Sequence, residues 1–253
     1  MDFQVRDKWF LVTGAGSGLG RAVAERLLAE DACVIACARN LHDFPEHEKL
    51  MLIPGDVRDP EIIGSLLNSA SQKDIRGVFI NAGGPPARTF LETTTEDWDE
   101  AYRLLFRWKV ELVHGLLPHF IRRRFGRIVF SESISVKQPV ENLVLSNSLR
   151  MAVVGLAKTI SEEYAPQGIT VNVMAPGYHD TAAIDRLFLK KSQQTGKSTE
   201  HYREQIVKEI NVGKLGDPDE FAILALWLLS PLSAYITGQT LSVDGGTVRY
   251  SMG

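Results

Sequence analysis

"WFLVTGAGSGLGRAV", Trp9 to Val23, runs from an apolar stretch through a glycine-rich turn into a helix-forming pattern. Its first residues are aromatic and β-branched, the types that fit a strand. Glycines at 14, 16, 18 and 20 allow a tight turn and a close approach of ligand to backbone. A helix opening at Gly18 presents N–H groups that have no partner inside the helix, and such an end attracts phosphate. Strand, glycine turn and helix in that order fit a dinucleotide-binding unit. The spacing is TGxxxGxG over Thr13, Gly14, Gly18 and Gly20, with Ser17 and Leu19 between, rather than GxGxxG.

The same alternation continues along the chain. Strands are predicted at 8–13, 33–38, 50–53, 77–81, 126–131, 169–174 and 240–243. Several are almost wholly apolar, as in a parallel sheet covered on both faces. Helices are predicted at 18–30, 60–71, about 96–124, about 144–165 and 217–229. Thr94 and Asp97 form a capping box before the long third helix, and Pro118 is expected to kink or end it. The fold class is α/β: a single doubly wound Rossmann domain over 1–253, with a mostly parallel seven-stranded sheet and helices on both faces. Residues 178–213 break the alternation. They read as a substrate lid over the strands' carboxyl ends, or as a plain surface excursion.

Composition narrows the function. The chain has 253 residues, 44% hydrophobic and 23% charged, with a net charge of −3. No positive field argues for nucleic acid or an anionic membrane. The longest apolar run, Phe221 to Leu229, is nine residues, too short for a bilayer. Cys33 and Cys37 fall four apart in one strand, about 13 Å, beyond disulfide reach. They read as buried thiols of a cytoplasmic protein. The histidines show no metal-binding spacing, so no metal is expected.

Further motifs follow successive strands: Asp56-Val57, Asn81-Ala82-Gly83, Ser133, Pro176-Gly177 with Thr181, and Asp244-Gly245-Gly246. In this ordered set the sequence resembles the short-chain dehydrogenase/reductase family, of the kind that includes β-ketoacyl carrier-protein reductases. The resemblance spans nearly the whole chain. It implies that Gly14, Gly18 and Gly20 hold the pyrophosphate, with Thr13, Ser17 and Leu19 also binding the cofactor. It implies that Asp56 and Val57 bracket the adenine, and that Asn81, Ala82 and Gly83 support the adjacent ribose. Pro176, Gly177 and Thr181 would face the nicotinamide. At the end of the second strand, Ala38 stands where an acid would select NAD. Arg39 and Asn40 follow, and arginine suits a 2′-phosphate. NADP(H) is therefore the preferred cofactor, with NAD(H) left open.

The family's active site is a serine, a tyrosine 13 residues later and a lysine four beyond, joined by an asparagine from the preceding long helix. Ser133 matches the serine. The other three positions hold Ser146, Arg150 and Leu105. An atypical subgroup of the family resembles this chain in having serine and arginine there. At four-residue helical spacing Ser146 and Arg150 share one face. A serine hydroxyl is too weak an acid to replace a phenol unaided, and Arg150 stays charged, suited to clamp ribose hydroxyls, a carboxylate or a phosphate. Tyr178 is the first candidate for a substitute acid, or else a lid-packing aromatic. His179, Glu132, Lys137 and Glu141 are further candidates.

Two readings follow. One is an NADP(H)-dependent oxidoreductase for a small-molecule ketone/alcohol pair, with a degenerate catalytic tetrad. The other is a non-catalytic NADP(H)-binding sensor or partner subunit. No Ser/His/Asp set supports a hydrolase. Arg122-Arg123-Arg124 reads as a helix terminus suited to the dipole, or as a docking point for an acidic carrier protein. The resemblance implies a homotetramer built through the two long helices and the C-terminal strand region.

Overall fold

Alternate residues of each strand serve opposite faces of the sheet, and this builds two hydrophobic layers. Val12, Val34, Phe79 and Val129 point to one side, where Val23, Leu27, Phe221 and Leu228 cover them. Leu11, Ile35, Val78 and Ile128 point to the other, under Leu66, Leu112, Leu116 and Val153. A computed structural model of the chain describes residues 2–41, 44 and 46–250.

The strands are β1 (Trp9–Thr13), β2 (Cys33–Ala38), β3 (Leu50–Pro54), β4 (Gly77–Ile80), β5 (Gly126–Ser131), β6 (Ile169–Pro176) and β7 (Thr240–Val243). They form one sheet in the order β3-β2-β1-β4-β5-β6-β7. Every pairing is parallel. The order reverses between β1 and β4, so the crevice outside their carboxyl ends is the ligand position of such a sheet.

The helices are α1 (Gly18–Ala29), α2 (Pro60–Lys73), α3 (Thr95–Tyr102), α4 (Trp108–Arg123), α5 (Val144–Tyr164), α6 (Ala182–Thr195), α7 (Thr199–Glu209) and α8 (Pro218–Leu229). Helix α3 starts at the expected Thr94–Asp97 capping box. Between α3 and α4 the chain does not break but widens into a π-helical turn, Arg103–Arg107. Leu105 at its centre is fully buried, and the Trp108 indole donates to the Leu104 carbonyl at 2.8 Å. A π-turn adds a residue to one coil, and the indole satisfies a carbonyl there.

Pro118 does not end the helix: α4 runs through it to Arg123. Leu116 and Phe120, on either side, are buried, and their packing holds the turn against the lost hydrogen bond. Two arginines of the basic triplet are tied to their own chain, Arg123 to Asp74 and Arg124 to the Pro166 carbonyl.

Residues 178–213 contain α6 and α7, which share a small core of Ile184, Phe188, Tyr202, Ile206, Ile210 and Leu215. Its two ends are stapled. Asp180 N donates to Gly216 O at 2.8 Å, and Gly216 N to Tyr178 O at 2.9 Å.

Candidate functional site

The glycine turn is fastened across the sheet's reversal point. Asn81 N donates to Thr13 Oγ1 at 2.9 Å, and that hydroxyl donates to Asn81 O at 3.0 Å. The Asn81 amide reaches Gly14 O at 3.3 Å. Gly14 and Gly18 take positive φ, +60° and +56°. A Cβ at Gly20 would sit 2.2 Å from Gly14 O, so glycine there is required by contact.

The start of α1 differs from its neighbours. Asp59 and Asp217 cap α2 and α8 with side-chain hydrogen bonds, and each is followed by proline. Ser17, at the head of α1, makes no such bond, and the first turn carries no acid. These free N–H groups fit a pyrophosphate. Leu19 packs against the core below them. Thr181 heads α6, and its Cγ2 lies 3.5 Å from where a Gly18 Cβ would be, which brings the start of α6 to the glycine turn.

Arg39 and Asn40 are exposed after β2. Asp56 is half-buried and held by Arg58, whose side chain approaches to 2.7 Å. The hydrogen bonds from Arg58 keep the Asp56 carboxyl below its usual range, and the Arg39 charge adds to this. Val57 packs at the margin of the core, as does Ala82 on the other side of the crevice. Gly83 is exposed, and a Cβ there would meet nothing. Burial pushes the nearby Cys37 thiol up to about 12, so it is inert at neutral pH.

Ser146 and Arg150 meet as their spacing requires. Arg150 Nε donates to Ser146 Oγ at 3.1 Å. Arg150 Nη1 also donates to the Glu132 carbonyl at 3.1 Å and to Glu132 Oε2 at 3.0 Å. The other oxygen of Glu132, Oε1, takes a bond from Lys109 Nζ. The Lys109 and Glu132 side chains are sealed from solvent, and that of Arg150 is 7% exposed. Burial, with the Arg150 charge, lowers the Lys109 pKa, and Glu132 opposes this.

Glu132 is among the candidates that the sequence offers; Lys109 is not. The signal was present: Lys109 lies four residues from Leu105 and four from Val113, on the stripe that also carries Leu112, Leu116 and Phe120. A lysine on an apolar stripe marks a buried charge.

Ser133 directly follows Glu132. Its Oγ accepts from Ser135 N at 3.1 Å, which leaves the hydroxyl proton free to donate elsewhere. Pro176 ends β6 beside Val243, and Gly177 N donates to Val243 O at 3.0 Å. Tyr178 packs against the small core shared by α6 and α7. Burial, with the Glu209 charge, raises its phenol pKa, so it holds its proton more tightly than an ordinary tyrosine. His179 is buried against Phe221, and burial lowers its pKa. Lys137 is partly buried and Glu141 exposed in the loop before α5.

Comparison with known proteins places the chain's sequence and fold. The family model described as enoyl-(acyl carrier protein) reductase matches residues 14–248. The chain is 26% identical to the 3-oxoacyl-[acyl-carrier-protein] reductase FabG of Aquifex aeolicus, over 97% of this chain and 99% of the relative. Its fold is similar to that of L-sorbose reductase from Gluconobacter frateurii, solved with NADPH and L-sorbose. There the TM-score is 0.91 and the identity 26%, over 98% of this chain and 99% of that one. It is also similar to an NADPH-bound short-chain oxidoreductase from Pseudomonas aeruginosa PAO1 described as containing an atypical catalytic centre. That match has a TM-score of 0.84 and 30% identity, over 96% of this chain and 98% of that one.

Proposed function

The chain belongs to the short-chain dehydrogenase/reductase family, and from that premise we propose that it is an NADP(H)-dependent oxidoreductase acting on a small-molecule ketone/alcohol pair. The observation that carries this reading is the hydrogen-bonded set Ser146–Arg150–Glu132, next to Ser133 and beside the loop that follows Asn81. The uncapped start of α1 supports a bound pyrophosphate, and Arg39 supports a 2′-phosphate. Bound there, NADPH supplies the hydride.

Ser133 donates to the carbonyl oxygen and polarises it. Ser146 Oγ accepts from a permanent cation, which strengthens its hydroxyl as a donor to the same oxygen. Neither serine is an acid of useful strength, so the proton comes from water or from Tyr178. Loss of a positioned acid costs about 10²–10⁴ in rate. Holding the reactants together contributes about 7–11 kcal/mol, so a working reductase survives the loss. Residues 178–213 act as the lid, and the assembly is a homotetramer.

A second reading, a non-catalytic NADP(H) sensor or partner subunit, draws on the replacement of tyrosine and lysine by Ser146 and Arg150. The test is NADPH consumption with a panel of ketones, product being counted against enzyme. Many turnovers support the reductase; none, with NADPH bound, supports the sensor. Tyr178→Phe in the same assay separates the two proton sources. A loss of 10²-fold or more would assign the proton to the phenol.

A further inference from the structure

Arg150 is the one member of the altered tetrad whose charge is permanent, and its fork is only partly used. A guanidinium meets a carboxylate best with two parallel bonds. Arg150 gives Glu132 only Nη1, because Lys109 Nζ holds the second carboxylate oxygen. Nε is spent on Ser146 Oγ. Nη2 has no hydrogen-bond partner among the described residues. It faces the exposed loop after β4, where a Cβ built on Gly84 would lie 3.5 Å from it. Glycine at that point leaves room in front of the arm.

We propose that Lys109, Glu132 and Arg150 form a receptor for a substrate carboxylate, with Arg150 Nη2 as the donor and Lys109 as the positioning residue that keeps this arm free. The proposal rests on the oxidoreductase reading and narrows its substrate to oxo acids.

Charge separates this from a clamp on neutral ribose hydroxyls. The network holds two cations and one carboxylate, each at least nine-tenths buried. With Lys109 protonated, one positive charge is left over inside the protein. A buried charge without a counter-ion is costly. A carboxylate at Nη2 removes that cost and a sugar hydroxyl does not. Lys109 contributes in two ways: it supplies the extra charge and it denies Arg150 a two-armed grip on Glu132. The charged groups that act on Lys109 are Glu132, from the end of β5, and Arg150, from α5.

The test is calorimetric titration of acetate into the protein saturated with NADP⁺. Acetate should bind the natural protein. Lys109→Met should weaken it about tenfold or more, the scale of one charged hydrogen bond, while NADPH affinity changes by less than about threefold. Lys109→Gln, which keeps a donor to Oε1 without the charge, covers the case in which the methionine variant does not fold, and should also weaken acetate. Acetate binding to the natural protein should fall as pH rises through the Lys109 ionisation, and this dependence should vanish in either variant. A structural lysine would not produce it. Equal acetate affinity in natural and variant proteins, or no binding to the natural one, overturns the receptor. A parallel assay compares a 3-oxo acid with its methyl ester, the acid being expected to have the lower KM. If acetate binds as described but neither compound is reduced, the oxidoreductase reading fails and the anion receptor stands. If both are reduced equally and acetate does not bind, the receptor fails and the reading stands.

Discussion

Arg150 Nη1 lies 3.0 Å from Oε2 of Glu132, in a contact almost closed to solvent. Removing one partner of such a pair strands the other's charge. Glu132→Gln leaves Lys109 and Arg150 as two buried cations and should destabilise the fold by about 3–5 kcal/mol. Lys109→Met leaves a neutral Glu132–Arg150 pair and should cost less. Urea unfolding of the two variants checks the order. A larger loss for Lys109→Met would mean that Arg150 does not share the carboxylate.

The lowered Lys109 pKa has a stability consequence with a definite sign. An unfolded lysine titrates near about 10.4. Between the lower folded value and that point, the unfolded chain binds more protons, so this residue makes stability rise with pH. The contribution is complete above the unfolded value and is lost as pH falls through the folded one. The unfolding free energy of the natural protein, minus that of Lys109→Met, should therefore grow from neutral pH to about pH 10. A flat difference would show that Lys109 titrates as an exposed lysine.

Arg39 governs cofactor choice in this account. Arg39→Ala should remove about 1.5–3 kcal/mol from NADPH binding, the range for charged hydrogen bonds, and leave NADH binding unchanged. Equal losses for both cofactors in calorimetry would reject a 2′-phosphate contact.

Much of the architecture was legible because the strands bury both faces and so read as apolar runs, while turn residues mark their ends. The Thr94–Asp97 box and the Ser146–Arg150 pair were legible because both are local, set by helical spacing. Lys109 was not read, although its place on the stripe with Leu105 and Val113 marked it. Its partner Glu132 is 23 residues away in sequence, and only the packing of α4 against β5 joins them. The π-turn at Arg103–Arg107 was not read from the sequence: one added residue turns the following face by about 100°, but the adjacent Leu104, Leu105 and Phe106 mask that change of phase. Of the two outcomes expected at Pro118, an end of the helix does not occur: α4 continues to Arg123, with Leu116 and Phe120 buried on either side.

As the proposed lid, residues 178–213 are expected to open locally, as binding segments do. Five buried residues of the segment form with Leu215 a core separate from the two main layers, and its ends are stapled at Tyr178–Asp180 and Gly216. Limited proteolysis of the cofactor-free protein should cut first within 178–213, and NADP(H) should slow that cutting. Cleavage unaffected by saturating cofactor would make the segment a plain surface excursion.

Transfer of deuterium from NADPH labelled on its reactive nicotinamide carbon tests the oxidoreductase claim most directly. With a 3-oxo acid as acceptor, the label should appear on the new carbinol carbon, in more than one equivalent per protein chain. Tight NADPH binding with no label transferred to any ketone or oxo acid would contradict the account and leave the non-catalytic sensor as the reading of this chain.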